Sequence, residues 1–321
     1  MPIDAHLSQF NPLERIICFD DFDNGLSGWV PLLPNMRPDA IDYYPEQKYK
    51  TLWGGPMLST ATFPFLGSHG SMNGVYSMKI PSRPIAGPVD ERPRPGSMGH
   101  AIKRLTVSRR SSLRFEMWYT YAPEHDRPGI GEEDIRSFGF AFDIQDNEKR
   151  YFAGVRYLNS AGGKMRRRWQ LAKAKDGTDA EWGPTADSTV GYKNSKGETE
   201  RVWIKRGIDP SWLGTRHADG SSDSFLDIPN SEQYLCYNES VDKINWHYLS
   251  LTIDLASRRY VSFTTQDQDY DISDISPTLV DAYPRINNLV NPILWVETNA
   301  DRRAMLFVDS LMVSTGEERS V

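Results

Sequence analysis

The chain has 321 residues and a formal net charge of −6, and this mild acidity excludes the basic field that general nucleic-acid binding requires. No stretch approaches the roughly 20 apolar residues of a membrane span. From the charge we therefore expect no nucleic-acid partner, and from the lack of a long apolar stretch we expect no membrane partner. The two cysteines, Cys18 and Cys236, are too few and too far apart for a disulfide framework or a zinc site.

The beginning of the chain, MPIDAHLSQFNPLER, contains no apolar segment of the kind found in secretory signals. We therefore expect a cytoplasmic protein, or a secreted one if the natural N-terminus has been trimmed. Residues 1–14 are predicted to form an N-terminal arm ahead of the first strand.

The first and last apolar segments are predicted to be paired strands. Arg15–Trp29 reads RIICFDDFDNGLSGW and Arg303–Ser314 reads RAMLFVDSLMVS, and each is a β-type apolar run that carries an aspartate. In a jelly-roll sandwich the terminal strands lie side by side and close the core, which is the arrangement that we predict here.

Between these ends, apolar and polar residues alternate strictly and helical periodicity is almost absent. Alternation runs through Ser112–Tyr121 and again through Ser137–Ile144, and a period of two over such lengths indicates strands. Further strands are predicted at Arg150–Leu158, Lys164–Ala172, Glu200–Lys205, Trp246–Leu255, Arg258–Thr265, Pro292–Thr298 and Met305–Ser314. The pattern predicts an all-β fold, a two-sheet antiparallel β-sandwich with long loop insertions.

Four segments rich in proline, glycine or polar residues are predicted to be long loops, near 31–74, 81–99, 173–199 and 207–232. Long loops in a compact domain are usually functional or mobile. Because the terminal strands should pair across everything between them, we predict one β-sandwich domain that spans residues 1–321.

Four segments, taken in order, resemble the concanavalin A-like lectin/glucanase jelly roll: FDDFDNGLSGW, GVYSMKI, INWHYLSLTIDL and LFVDSLMVS. The chain is also similar to a bacterial family of uncharacterised proteins of about this length, with a KINWHYLSL-type segment. The resemblance implies two antiparallel sheets, a concave sheet face that often holds carbohydrate, and frequently one structural calcium ion.

One sheet face is predicted to hold a ligand. If Phe138, Phe140 and Phe142 point into the core, the small residues Gly139 and Ala141 face the other way and leave room. Arginine forks, carboxylates and flat aromatic rings suit the hydroxyls and C–H faces of sugars. The candidate ligand-binding residues are Arg114, Glu116, Trp118, Asp143, Arg156, Arg168, Tyr260, Trp295 and Glu297. The alternative is a polar outer sheet face that carries cross-strand ion pairs.

A calcium site is predicted from three aspartates near the chain ends, Asp21, Asp23 and Asp309. Calcium prefers several hard oxygen ligands, and the first and last strands would bring these carboxylates together. In the alternative interpretation the acidic segment is a turn, and these carboxylates accept hydrogen bonds from backbone amides.

Three functions are compatible with these residues, and the first is the one that we favour. It is a lectin-like protein that binds a glycan or small sugar without turnover. The second is a carbohydrate-active enzyme, a hydrolase or lyase, with Glu116 and Asp143 on adjacent strands as candidate catalytic carboxylates. The chain lacks the Glu-x-Asp-x-x-Glu strand of retaining glucanases, and Arg114–Met117 and Tyr151–Gly154 are faintly similar to strands of alginate lyases. The third is a structural or assembly protein that forms a homo-oligomer through a sheet face.

Overall fold

The computed structural model describes residues 7–31, 53–60, 70–82, 98–107, 111–123, 131–172, 189–193, 199–203, 225–236, 245–277, 279–282, 285–300 and 302–317. Within these ranges the backbone forms nineteen β-strands and two short 3-10 helices, Leu7–Gln9 and Glu132–Asp134. This part of the chain contains no helix whose length and hydropathy would let it cross a lipid bilayer. The strands are β1 Arg15–Asp20, β2 Trp53–Gly54, β3 Met57–Thr60, β4 Tyr76–Pro81, β5 Met98–Ile102, β6 Leu105–Thr106, β7 Ser112–Pro123, β8 Ile135–Gln145, β9 Lys149–Ala161, β10 Lys164–Ala172, β11 Thr189–Lys193, β12 Thr199–Trp203, β13 Phe225–Glu232, β14 His247–Asp254, β15 Arg259–Thr265, β16 Asp269–Asp271, β17 Leu279–Asp281, β18 Leu289–Thr298 and β19 Ala304–Gly316.

These strands form two large sheets and one separate hairpin. The first sheet has the order β16-β15-β14-β7-β19-β4-β3, and β1 also pairs with β19. The second sheet has the order β13-β10-β9-β8-β18-β5-β2, with β17 on β9 and β6 on β18. The pairing is antiparallel throughout both sheets, apart from the short parallel contact of β2 with β5. The predicted two-sheet antiparallel β-sandwich is therefore confirmed.

The terminal strands pair as the sequence predicts. Arg15 lies opposite Thr315 and Asp20 lies opposite Leu311, so β1 runs antiparallel to the last strand. On its other side β19 pairs with β7 along nearly its whole length. The two ends of the chain therefore close the first sheet against its central strand.

The core lies between the two sheets and is rich in aromatic rings. Phe115 of the first sheet stacks on Phe140 of the second, with ring centroids 3.5 Å apart. Trp169 of the second sheet meets Phe263 of the first edge-on at 5.0 Å. These inward residues belong to the alternating apolar positions of their strands, because successive residues of a strand point to opposite faces.

Several of the predicted loops contain strands, and those parts of the prediction are wrong. β2 and β3 lie within 31–74, β11 lies within 173–199, and β13 occupies the end of 207–232; β5 begins inside 81–99. An edge strand such as β13 needs fewer apolar residues than a central one, and its polar residue Asp227 and its proline Pro229 gave no strand signal in the sequence. The remaining residues of these segments lie outside the described residues, apart from short stretches next to the strands.

Candidate functional site

The outer face of the second sheet, which is turned away from the first sheet, carries a row of polar and aromatic side chains. Phe138 and Phe140 lie in the core between the sheets, whereas Ala141 belongs to a separate apolar cluster on the other side. The predicted facing of Gly139 and Ala141 is therefore confirmed. Strand register aligns one residue from each of β5, β18, β8, β9, β10 and β13 across about 24 Å of sheet. These residues, here called the transverse row, are His100, Trp295, Gly139, Arg156, Gln170 and Asp227.

Arg156 organises the half of the transverse row that lies toward β13. Its guanidinium carbon lies 4.3 Å from the centroid of the Phe225 ring, and its Nε donates a hydrogen bond to Gln170 Oε1 at 2.9 Å. Gln170 Nε2 in turn donates to Asp227 Oδ1 at 2.7 Å. The chain of donors and acceptors fixes the orientation of the guanidinium, which is the group best suited to bind paired oxygen atoms.

Trp295 covers the middle of the sheet. Its indole lies against Gly139, where an added Cβ atom would collide with the ring, so glycine at this position lets the ring approach the backbone. The ring centroid of Trp295 is 6.2 Å from that of Phe225. The two rings belong to the outer-face apolar cluster of Met98, Ile102, Ala141, Phe152, Ala172, Phe225, Ile293 and Trp295.

Carboxylates flank the transverse row on both sides. Asp143 accepts two hydrogen bonds from Arg150, at 2.8 and 3.0 Å, and a longer one from Asn291 Nδ2 at 3.4 Å. On the other side of the row, Glu297 Oε2 accepts a hydrogen bond from Ser137 Oγ at 3.1 Å. The face therefore combines an apolar, aromatic centre with charged groups that are held in fixed orientations.

The charged residues of this face are buried. Arg156, Asp143 and Glu297 are each 1% exposed and Trp295 is 0% exposed. Charged side chains are rarely buried this completely unless they are paired, and these lie on an outer face and not between the sheets. Buried polar groups that converge on an apolar patch are typical of ligand sites.

Five of the predicted ligand residues lie on this face, and other residues of the face were not predicted. The structure brings together Asp143, Arg156, Arg168, Trp295 and Glu297 there, but His100 and Gln170 were not predicted. The alternation of Gln170 with Trp169 and Leu171 was a usable signal. The sequence carried no such signal for His100, because every residue of β5 is buried and the sequence of this strand does not alternate between apolar and polar residues.

The other predicted ligand residues of β7 lie on the opposite side of the molecule, on the outer face of the first sheet. There they contact the N-terminal arm. Asn11 N–H donates to Glu116 Oε1 at 2.6 Å, and Arg114 Nη1 donates to the Asn11 carbonyl at 2.8 Å. Trp118 Nε1 donates to the Gln9 carbonyl at 3.3 Å. The arm thus covers the side chains that were predicted to meet a ligand.

Glu116 is fully buried beneath this arm. Tyr248 donates its hydroxyl proton to Glu116 Oε1 at 2.6 Å. Burial raises the pKa of the Glu116 carboxyl, and the hydrogen bonds from Tyr248 and Asn11 and the charge of Arg114 offset only part of that rise. The carboxyl is therefore easier to protonate than an exposed one.

The prediction that Glu116 and Asp143 lie on adjacent strands is wrong. β7 belongs to the first sheet and β8 to the second, so the two carboxyl groups lie on opposite outer faces with the core between them. They cannot flank one glycosidic bond. The lyase-like segments Arg114–Met117 and Tyr151–Gly154 are separated in the same way, because β9 also belongs to the second sheet.

The two remaining candidates are Tyr260 and Arg168. Tyr260 points into the core and reaches the second sheet, where its hydroxyl donates to the Ala172 carbonyl at 2.7 Å; it does not lie on a sheet face. Arg168 lies on β10 two residues before Gln170, on the same outer face of the second sheet, and forms ion pairs with Asp227 of the transverse row at 2.6 Å and with Glu232 at 3.2 Å.

The predicted calcium ligands accept hydrogen bonds from the chain itself. Asp309 Oδ1 accepts from Met72 N–H at 2.5 Å, Asp23 Oδ1 from Val75 N–H at 2.7 Å, and Asp21 Oδ1 from Asp23 N–H at 3.2 Å. Among the residues that the structure describes, no group of three or more His, Cys, Asp or Glu side chains is placed to hold a metal ion. These contacts fit the alternative interpretation, in which the aspartates bind backbone amides.

One family model matches residues 1–317, and its description is "Domain of unknown function (DUF6772)". None of the curated proteins matches the chain.

Solved structures with similar folds include sugar-binding proteins and one enzyme, all at low identity. The carbohydrate-binding module (CBM2) of the evolved Dit protein of Lactobacillus casei BL23 phage J-1 is 9% identical, with 97% of this chain and 100% of that chain covered and a TM-score of 0.35. A lectin from Bauhinia forficata in complex with GalNAc is 9% identical, with 82% and 93% covered and a TM-score of 0.33. A mutant of alginate lyase Aly36B in complex with alginate tetrasaccharide is 9% identical, with 76% and 82% covered and a TM-score of 0.34. Scores this low carry no argument about function.

Proposed function

Because the chain belongs to this family, whose description names no function, we propose from its own residues that it binds a carbohydrate on the outer face of the second sheet. The observation that carries the proposal is the transverse row. It sets an indole, a guanidinium, an amide and a carboxylate in register across one face, beside a patch of small and apolar residues.

Each group in the row has a use in binding a sugar. The Trp295 ring offers a flat surface for the C–H face of a pyranose. The Arg156 guanidinium and the Gln170 amide offer directional hydrogen bonds to hydroxyl oxygens. Because a sugar presents C–H faces and hydroxyls at alternating positions, a mixed aromatic and polar face suits it better than it suits a lipid or an ion.

Burial has a kinetic consequence for this site. Trp295 and Arg156 are almost completely buried, so we expect a ligand to reach them only after a conformational change that exposes them. We therefore expect association to be slower than at an open surface site.

The test is a binding screen of the full chain against mono- and oligosaccharides, with Arg156→Met as the site variant. We expect one sugar class to raise the melting temperature of the wild type. In titration calorimetry the Arg156→Met variant should bind that sugar at least about tenfold more weakly, because the guanidinium donors are lost while the length of the side chain is kept.

Arg258→Met is the matched control. Arg258 pairs with Asp146 at 2.8 Å and Glu148 at 2.6 Å in the turn before β15, away from the transverse row, and its loss should leave sugar affinity unchanged. Binding to no sugar, or equal affinity of the Arg156→Met variant and the wild type, would contradict the proposal.

A further inference from the structure

The outer face of the first sheet binds a stretch of polypeptide through its main chain. The stretch is residues 9–13 of the N-terminal arm, here called the strap, and the side chains beneath it are here called the strap groove. Asn11 supplies both polar groups of its backbone, the N–H to Glu116 Oε1 at 2.6 Å and the carbonyl to Arg114 Nη1 at 2.8 Å. The groove comprises Arg114, Glu116, Trp118, Tyr248 and Ser314.

The contacts follow every second residue of the strap. The Gln9 carbonyl accepts from Trp118 Nε1 at 3.3 Å, Asn11 uses both its backbone groups, and Leu13 N–H donates to Ser314 Oγ at 3.0 Å. The intervening Pro12 has no N–H to place, and it favours an extended backbone at the residue before it. Gln9 is the last residue of the 3-10 helix Leu7–Gln9, and from Asn11 to Leu13 the two-residue spacing of the contacts is that of an extended chain.

The strap adds two buried apolar side chains to these backbone contacts. Phe10 packs edge-on against Phe19 with ring centroids 5.9 Å apart, and Leu13 is fully buried. Neither Phe10 nor Leu13 belongs to the clusters that form the cores of the described residues. The strap therefore packs against the outer face of the first sheet and does not contribute to the core between the two sheets.

The strap leaves one acceptor of the groove unused. Glu116 Oε1 accepts from both Asn11 and Tyr248, whereas Oε2 is buried and has no hydrogen-bond partner among the described residues. A buried acceptor without a donor is costly, so an occupant that brings a second donor would bind this groove better than the strap does. Trp118 and Tyr248 are partly exposed and lie side by side in the groove, with ring centroids 5.4 Å apart.

We propose that the strap groove is a binding site for an extended peptide, that residues 9–13 occupy it in cis, and that a peptide supplied in trans competes with them. The ligand class is an extended peptide that gives Glu116 a backbone N–H and, from a neighbouring serine, asparagine or glutamine side chain, a second donor. This site is separate from the proposed sugar site, because the two lie on opposite outer faces.

The experiment uses a fluorescein-labelled peptide with the sequence of residues 7–15, LSQFNPLER, and the full chain. In the variant Phe10→Ser/Leu13→Ser the resident strap loses its apolar contacts, so the labelled peptide should bind this variant at least about tenfold more tightly than it binds the wild type, with one peptide per chain. The same peptide methylated at the Asn11 nitrogen cannot donate to Glu116 and should bind at least about tenfold more weakly.

Equal binding of the methylated and unmethylated peptides would overturn the proposal, as would no binding to a variant whose melting curve shows that it is folded. If the variant does not fold, hydrogen exchange of the wild type decides. Excess peptide should then accelerate exchange of the backbone amides of Gln9, Phe10, Asn11 and Leu13, and an unchanged exchange rate would overturn the proposal.

Discussion

Glu116 shows what the fold does to a single ionisable residue. Its carboxyl group is fully buried, and burial raises its pKa above the ordinary value of 4.5 despite the neighbouring donors and Arg114. Below pH 4.5 the carboxyl is protonated in both the folded and the unfolded chain. As the pH rises toward the folded-state pKa, the unfolded chain ionises first, so the wild type loses stability, and the loss is complete above that pKa.

The neutral variant Glu116→Gln tests whether stability falls as the pH rises. Glutamine does not titrate, so the variant does not lose stability as the pH rises. Its amide nitrogen changes the stability by an amount that is the same at every pH. We expect the melting temperature of the variant minus that of the wild type to increase as the pH rises above 4.5 and to level off above the folded-state pKa. The measurement is a series of thermal melts across this range, and a difference that stays constant with pH would show that the carboxyl is not perturbed.

At the scale of elements, Tyr260 links the two sheets. It stands on β15 of the first sheet, and its hydroxyl accepts from Gly154 N–H at 2.9 Å and donates to the Ala172 carbonyl at 2.7 Å. β9 and β10 of the second sheet supply these two backbone groups. One buried hydroxyl therefore satisfies a donor and an acceptor of neighbouring strands across the core.

Removal of that hydroxyl should destabilise the fold. Tyr260→Phe leaves Gly154 N–H without this acceptor and the Ala172 carbonyl without this donor, and we expect a loss of about 1–3 kcal/mol in the free energy of unfolding by urea titration. Tyr234→Phe is the matched control, because Tyr234 is 76% exposed and its change should stay within about 0.5 kcal/mol. Similar values for the two variants would contradict the role given to Tyr260.

The strands themselves were largely predictable, and their pairing was not. Alternation is a local property, so β10 was predicted with both its ends correct and β7 with its first residue correct. Pairing depends on contacts between distant parts of the chain: Glu116 lies opposite Ser250 and Met312, which no local pattern identifies. For this reason the residues predicted to share one ligand face lie on the outer faces of two different sheets. For the same reason Tyr260 was assigned to a surface although it points into the core.

At the scale of the whole molecule, the sandwich separates the two faces for which we propose binding. The face of the second sheet holds Trp295 and Arg156, and the face of the first holds Glu116 and the arm. Each face is attached to the same aromatic core, which is close-packed and includes the stacked rings of Phe115 and Phe140. Stacked sheets lie about 10 Å apart, so side chains on the two outer faces have no partner in common.

A double-mutant cycle decides whether the two candidate catalytic carboxylates share a site. For Glu116→Gln and Asp143→Asn we expect the changes in unfolding free energy to add within about 0.5 kcal/mol, because residues this far apart without shared partners are independent. The control cycle of Asp143→Asn with Arg150→Met joins groups that are 2.8 Å apart and should show a coupling of about 0.5–3 kcal/mol. If the first cycle coupled as strongly as the second, the two carboxyl groups would belong to one site, and the assignment of two independent faces would fail. Additivity would show that Glu116 and Asp143 do not form a catalytic pair between β7 and β8.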